Sequence, residues 1–244
     1  MVISRLKNAS KSSRRKRSSK RPERDNNRHH RLLFETLEDR RLLAASPPLL
    51  ESIEGFNIDD NGFNSGAAVY RPPDPYGAVG PEHILNVGNV SLQWFEKDGA
   101  PQVHTSLKNF FSPLFPATAL FDPKAVYDQY NERYVVLALE QMDASLGDPA
   151  NMSRIMIAVS DDDDPNGNWS YLQINGQVNI PDITTPGTSL AYWTDYPGLA
   201  IDQDAIYVTG NLFEFGTNAP GGTRLWIVDK GEGAGGLYDN GPGE

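Results

Sequence analysis

The chain has 244 residues, 39% of them hydrophobic, with 22 Gly, 18 Pro and no Cys. The lack of cysteine excludes disulfides, thiolate metal sites and thiol redox chemistry, and no apolar run reaches the length of about 18 residues that a membrane helix needs. The net charge of −10 hides two opposite regions: residues 1–42 hold 14 basic against five acidic side chains, near +9, and the remainder holds 8 against 27, near −19. An acidic body repels phosphates, which argues against a nucleic-acid partner.

In chain order, residues 1–31 come first: basic, Ser-rich and without apolar periodicity. Such a segment cannot bury enough apolar surface to offset its ordering entropy, so it is expected to be disordered. Residues 32–50, "LLFETLEDRRLLAASPPLL", follow. Leu33, Leu37 and Arg40/Arg41 fall at helical spacing, which predicts a short amphipathic helix. The small residues before Pro-Pro then read as a linker. Glu35, Leu37, Glu38, Arg40, Leu42, Leu43 and Ala44 after a basic run resemble the LEPR-xLL-type N-terminal segment of planctomycete surface and exported proteins, with Asp39 where the named motif has Pro. The resemblance implies export or surface display and says nothing of fold.

Residues 51–76 read as an irregular leader. From 77 to 244 a pattern recurs three times. Each copy has a short apolar strand (AV, AVY, LAI), a tight polar turn, an alternating strand (HILNV, RYVVLA, AIYVTG) and, after a loop, a third strand (SLQWF, RIMIAV, RLWIV). A charged turn then precedes a fourth strand: QVHTSL, NWSYLQI and, in the last copy, GLYDN. Period-2 alternation rich in Val, Ile and Tyr is the β signal. Four antiparallel strands in each of several copies predict an all-β fold of β-propeller blades, over approximately 77–115, 124–175 and 198–244. A β-sandwich is the other fold with regularly spaced short strands. Propellers close with about 4–8 blades, so three legible blades are expected to be part of a larger ring. The Pro/Thr-rich stretch 175–197 is expected on a loop face, where sites are often built.

The phrases "DPYGAVGPEHILNVGN", "FDPKAVYDQYNERYVVLA" and "DYPGLAIDQDAIYVTGN" also resemble secreted bacterial propellers of sialidase-like or YVTN-like architecture. A sialidase would need an arginine triad, and the body holds only Arg71, Arg133, Arg154 and Arg224, of which Arg154 and Arg224 open equivalent third strands. No nucleophile elbow, zinc helix or phosphate loop is present.

One stretch carries concentrated charge: "SDDDDPNGNW", residues 160–169. It has two readings. The first is a solvated turn between the third and fourth strands, with Asp and Asn bonding locally, Gly167 at positive φ, and Trp169 opening the outer strand and packing between blades. The second is a truncated calcium loop on Asp162, Asp164 and Asn166, because closely spaced carboxylates suit a hard cation. Gln173 replaces the Glu that closes an EF-hand loop. Asn57, Asp59, Asn61 and Gly62 form a weaker echo. The sequence thus predicts an exported or cell-surface propeller with a non-enzymatic binding or attachment role, calcium its one candidate cofactor and an extracellular glycan or protein its partner. The alternative is a fragment of a glycan-active, sialidase-like propeller.

Overall fold

The computed structural model describes residues 48–50, 52–55, 57, 71–143, 145–231 and 236–239. The chain divides into two compact units, residues 1–50 and 51–244. The basic segment, the E-x-L-E-x-R-x-L-L-A core with its predicted helix, and Asp59, Asn61 and Gly62 lie outside the described residues.

The second unit is built from three four-stranded antiparallel sheets, each a simple meander. Blade 1 comprises β1 (Tyr76–Val79), β2 (His83–Gly88), β3 (Ser91–Glu96) and β4 (Pro101–Ser106). A short helix α1 (Leu107–Phe110) and a 3-10 turn at Ser112–Leu114 lead out of it. Blade 2 comprises β5 (Leu120–Asp128), β6 (Arg133–Met142), β7 (Met152–Ser160) and β8 (Trp169–Asn175). Blade 3 comprises β9 (Val178–Pro181), β10 (Ser189–Ile201), β11 (Ala205–Glu214) and β12 (Pro220–Asp229). Strand β5 lies beside β1 on one side and β10 on the other. The fold is therefore all-β, a set of consecutive β-propeller blades with their first long strands gathered at a common hub.

The third blade departs from the expected boundaries. Its strands run from 178 to 229, not from 198 to 244. The segment GLYDN is no strand: Leu237–Asp239 form a 3-10 turn, with Leu237 and Tyr238 both buried. Adjacent residues facing the same core are incompatible with strand alternation. Instead β9, inside the stretch expected to be loop, pairs with the front of β10 at Ser189–Tyr192.

Strand alternation explains how the middle blade holds two neighbours. In β6, Tyr134, Val136 and Ala138 join a core shared with blade 1, while Val135, Leu137 and Leu139 join a core shared with blade 3. In β7, Met156 and Ala158 divide from Ile155, Ile157 and Val159 in the same way. Successive side chains point to opposite faces, so a strand buried on both faces reads as an unbroken apolar run. Volumes are matched across each interface. The small side chains Ala138 and Ala158 face the bulky Trp94, Phe110 and Phe111 of blade 1 and its exit, and Trp169 packs edge-on against Phe110 at 4.9 Å.

A buried ion pair ties the exit of blade 3 to blade 2. Lys230 Nζ lies 2.7 Å from Asp128 Oδ2, donates to Asn131 Oδ1 at 2.7 Å, and both charged side chains are sealed from solvent. The Tyr238 hydroxyl donates to the same Asp128 oxygen at 2.7 Å.

Candidate functional site

At the hub, β1, β5 and β10 carry the same short element: Asp74-Pro75 just before β1, Asp122-Pro123 inside β5 and Asp195-Tyr196-Pro197 inside β10. The residue before each proline is left-handed: φ is 42° at Asp74, 49° at Asp122 and 46° at Tyr196. Non-glycine residues rarely adopt this conformation, and a residue before proline is pushed to the extended region instead. Each such position costs of order 1–3 kcal/mol. Strand pairing shifts register at two of these points, between Phe121 and Lys124 and between Asp195 and Gly198. Bulges of this kind re-aim side chains beside functional sites.

The kinks bring three carboxyls from three blades together. Asn89, in the turn between β2 and β3, donates from Nδ2 to Asp74 Oδ2 at 2.8 Å and to the Pro72 carbonyl at 3.0 Å. Its Oδ1 accepts from the Asp122 N–H at 2.7 Å. Asp122 Oδ2 in turn accepts from the Tyr196 N–H at 3.0 Å. Asp122 is the central member, close enough to Asp74 and Asp195 for its charge to act on both. Burial and then the charge of Asp122 push the Asp195 carboxyl up to about 6. The same two causes raise Asp74, and Lys124 and Asn89 partly offset them. Like charges brought together in this way disfavour ionisation of Asp74 and Asp195.

One cation completes the cluster. Lys124, two residues past Asp122, is 91% buried, since only 9% of its surface is exposed. Its ammonium lies 4.8 Å from the Tyr76 ring centre and 5.0 Å from that of Tyr196. Among the described residues it makes no ion pair within 4.0 Å and no hydrogen bond. An ammonium held between two rings, with its donors free of protein partners among the described residues and the Asp74 carboxyl nearby, can donate to a ligand. A cavity of about 240 Å³ adjoins the cluster, bounded by Tyr196, Thr209, Asn211 and Thr223.

The residues singled out in the sequence sit elsewhere. Asp162 Oδ1 accepts from the Asp164 N–H at 2.9 Å, and Asp164 Oδ1 from the Asn166 N–H and Nδ2, each at 2.9 Å. Asn166 Oδ1 accepts from Trp94 Nε1 at 2.9 Å, anchoring the turn to blade 1. Asp161 takes the Asn168 N–H and Nδ2, each at 2.9 Å. Gly167 does not have the positive φ expected of it; a Cβ there would lie 2.5 Å from Asp161 Oδ1, so a larger residue would displace that carboxylate. Gln173 accepts from Arg154 Nη1 at 2.8 Å, and Arg154 pairs with the buried Glu140. Arg154 is thereby structural. Among the described residues no three His, Cys, Asp or Glu side chains are arranged to hold a metal ion.

The hub trio was missed in the sequence because its members lie 48 and 73 residues apart and each Asp-Pro reads as a turn. The available signal was their recurrence at one point of the repeat, just before the A-V, A-V and L-A-I strands.

Comparison with known proteins adds the following. No curated protein matches the chain. Among solved structures, a variant of the GH43 protein BlXynB from Bacillus licheniformis aligns at 12% identity and a TM-score of 0.30, over 70% of this chain and 40% of that one. An exo-1,5-alpha-L-arabinanase from a bovine ruminal metagenomic library aligns at 14% identity and a TM-score of 0.33, over 67% and 55%. The chain thus spans about half the length of the solved structures it matches, or less. Residues 29–47 match the family model described as Planctomycete extracellular, in agreement with the resemblance of the N-terminal segment to exported proteins of that group.

Proposed function

We propose that this is an exported β-propeller protein that works outside the cell, free or on the surface, and binds a hydroxyl-rich glycan at its hub without turning it over. The observation that carries this reading is the gathering of Asp74, Asp122 and Asp195 beside Lys124, whose ammonium has no ion-pair or hydrogen-bond partner among the described residues. Carboxyl oxygens beside such an ammonium offer both acceptors and donors, and a sugar hydroxyl uses both.

The test is calorimetric titration of the full chain with soluble plant, fungal and bacterial polysaccharides, run beside an assay for newly released reducing ends. Binding without release is expected. Lys124→Met should weaken it about tenfold or more, because hydrogen bonds to a charged group are worth about 1.5–3 kcal/mol. Release of product that disappears in Asp122→Asn or Asp195→Asn would replace this reading with a glycan-active enzyme.

A further inference from the structure

A second cavity, of about 320 Å³, opens at the outer rim between blades 1 and 2, remote in the strand order from the hub. Its walls are aromatic. Trp94 and Phe110 come from the blade 1 side, and Trp169 and Tyr171 come from β8. Trp94 and Trp169 have ring centres 6.3 Å apart, and Phe110 lies 5.8 Å from Tyr171. Both indole N–H groups are spent internally, that of Trp94 on Asn166 and that of Trp169 on the Pro165 carbonyl at 3.0 Å. The indoles therefore offer the cavity only carbon surface.

Three polar groups of the lining are unspent. The Tyr171 hydroxyl, the Asn109 amide and the Ser112 hydroxyl make no side-chain hydrogen bond with the described residues. Burial alone pushes the Tyr171 phenol up to about 12, with no hydrogen-bonded partner contributing. No ionisable acid or base lines the cavity, although the Asp161–Asp164 run lies next along the chain.

We infer that this rim cavity is a binding site for a neutral saccharide, with the sugar's C–H surface against the aromatic walls and its hydroxyls on Tyr171, Asn109 and Ser112. Three features set the ligand class. The volume is at the lower end of small-molecule sites, which suits one or two sugar rings. Aromatic walls with a few uncharged hydrogen-bonding groups match a ring that is apolar on its faces and polar at its edge. The lining holds no carboxylate to add a charge contact, so a cation would be held by the ring faces alone, leaving Tyr171, Asn109 and Ser112 unused. This site is independent of the hub reading and stands if that reading fails.

The test is tryptophan emission of the full chain during addition of cellohexaose, maltohexaose or mannohexaose. At least one of the three is expected to shift the emission saturably, in the millimolar range or tighter. Trp169→Ala should abolish the shift. Because Trp169 also packs between blades, the double variant Asn109→Ala/Ser112→Ala provides a second reading on two exposed residues. It should weaken binding about fivefold per hydrogen bond lost, with unchanged circular dichroism. Silence with all three sugars, unaltered binding in the double variant, or saturation of the same signal by tetramethylammonium or a proline-rich peptide in their place would overturn the inference.

Discussion

Two groups of aspartates in this molecule make a useful contrast. Asp161 to Asp164 are adjacent in sequence and sit on one turn, where three of them accept N–H groups from residues two to seven places along. Asp74, Asp122 and Asp195 are a blade apart in sequence and meet at the hub, where their neighbours are each other. Adjacency delivers carboxylates to solvent and local backbone. Recurrence at one register of a repeat delivers them to a shared, partly buried point. Charge density along a chain is therefore a poor guide to charge density in space.

The contrast can be broken or sharpened by mutation, and the most severe case sets the scale. Asp128 belongs to neither group and is fully enclosed with Lys230. Asp128→Ala leaves a buried ammonium unpaired and should cost about 3–5 kcal/mol in urea unfolding. A loss under 1 kcal/mol would mean that enclosure does not set a carboxylate's weight here. Asp195→Asn at the hub should act in the opposite sense near neutral pH. The folded-state value of Asp195 lies above its unfolded one, so folding favours the protonated form. That contribution is complete below about pH 4 and is lost as pH rises toward 6. The wild-type Tm should thus fall between pH 4 and 7, and the variant should lose that part of the slope. The gain at pH 7 is about 1 kcal/mol once solvent screening is discounted, or about 2–4 °C. A profile that is unchanged in Asp195→Asn would dissolve the trio as an electrostatic unit.

The turn should respond less. Asp161→Ala removes two local hydrogen bonds at an exposed site and should cost about 0.5–1 kcal/mol. The smallest effect is expected from calcium. Excess calcium against chelator should move the wild-type Tm by less than about 1 °C, because Asp162 Oδ1, Asp164 Oδ1 and both Asp161 oxygens already accept local N–H groups. A cation binding at a hundredfold excess over its Kd would add about 2.7 kcal/mol. A rise of that size, lost in Asp162→Asn with Asp164→Asn, would restore the calcium loop.

Much of the fold was legible in the sequence and less of the site. The apolar patterns HILNV, RYVVLA and AIYVTG marked β2, β6 and β11: β2 sends Leu85 and Val87 into one core, β11 sends Ile206 and Val208 into the other, and β6 serves both. The turn DDDDPNGN was placed between β7 and β8 for the same reason. Strand β9 escaped, since VNIP is short and lies among Pro and Thr, and its pairing with Ser189–Tyr192 is fixed by β10 and not by its own pattern. The last strand was overread, because two neighbouring apolar residues, Leu237 and Tyr238, were taken for a strand when both turn inward. The trio was invisible for a different reason: no local pattern records that three backbone kinks face one axis.

Blade 2 also bears on how such a protein can change over generations. Its two central strands serve one core with even-numbered residues and another with odd ones, so substitution and insertion are unequal risks. Exchanging Leu137 for Ile alters one contact, whereas adding a single residue before it would send every later side chain of β6 to the wrong neighbour. Length can drift in the connections at 143–151 and 182–188, which lie outside the strands. In descendants of this sequence the spacing from 133 to 142 should therefore hold constant while the letters within it vary.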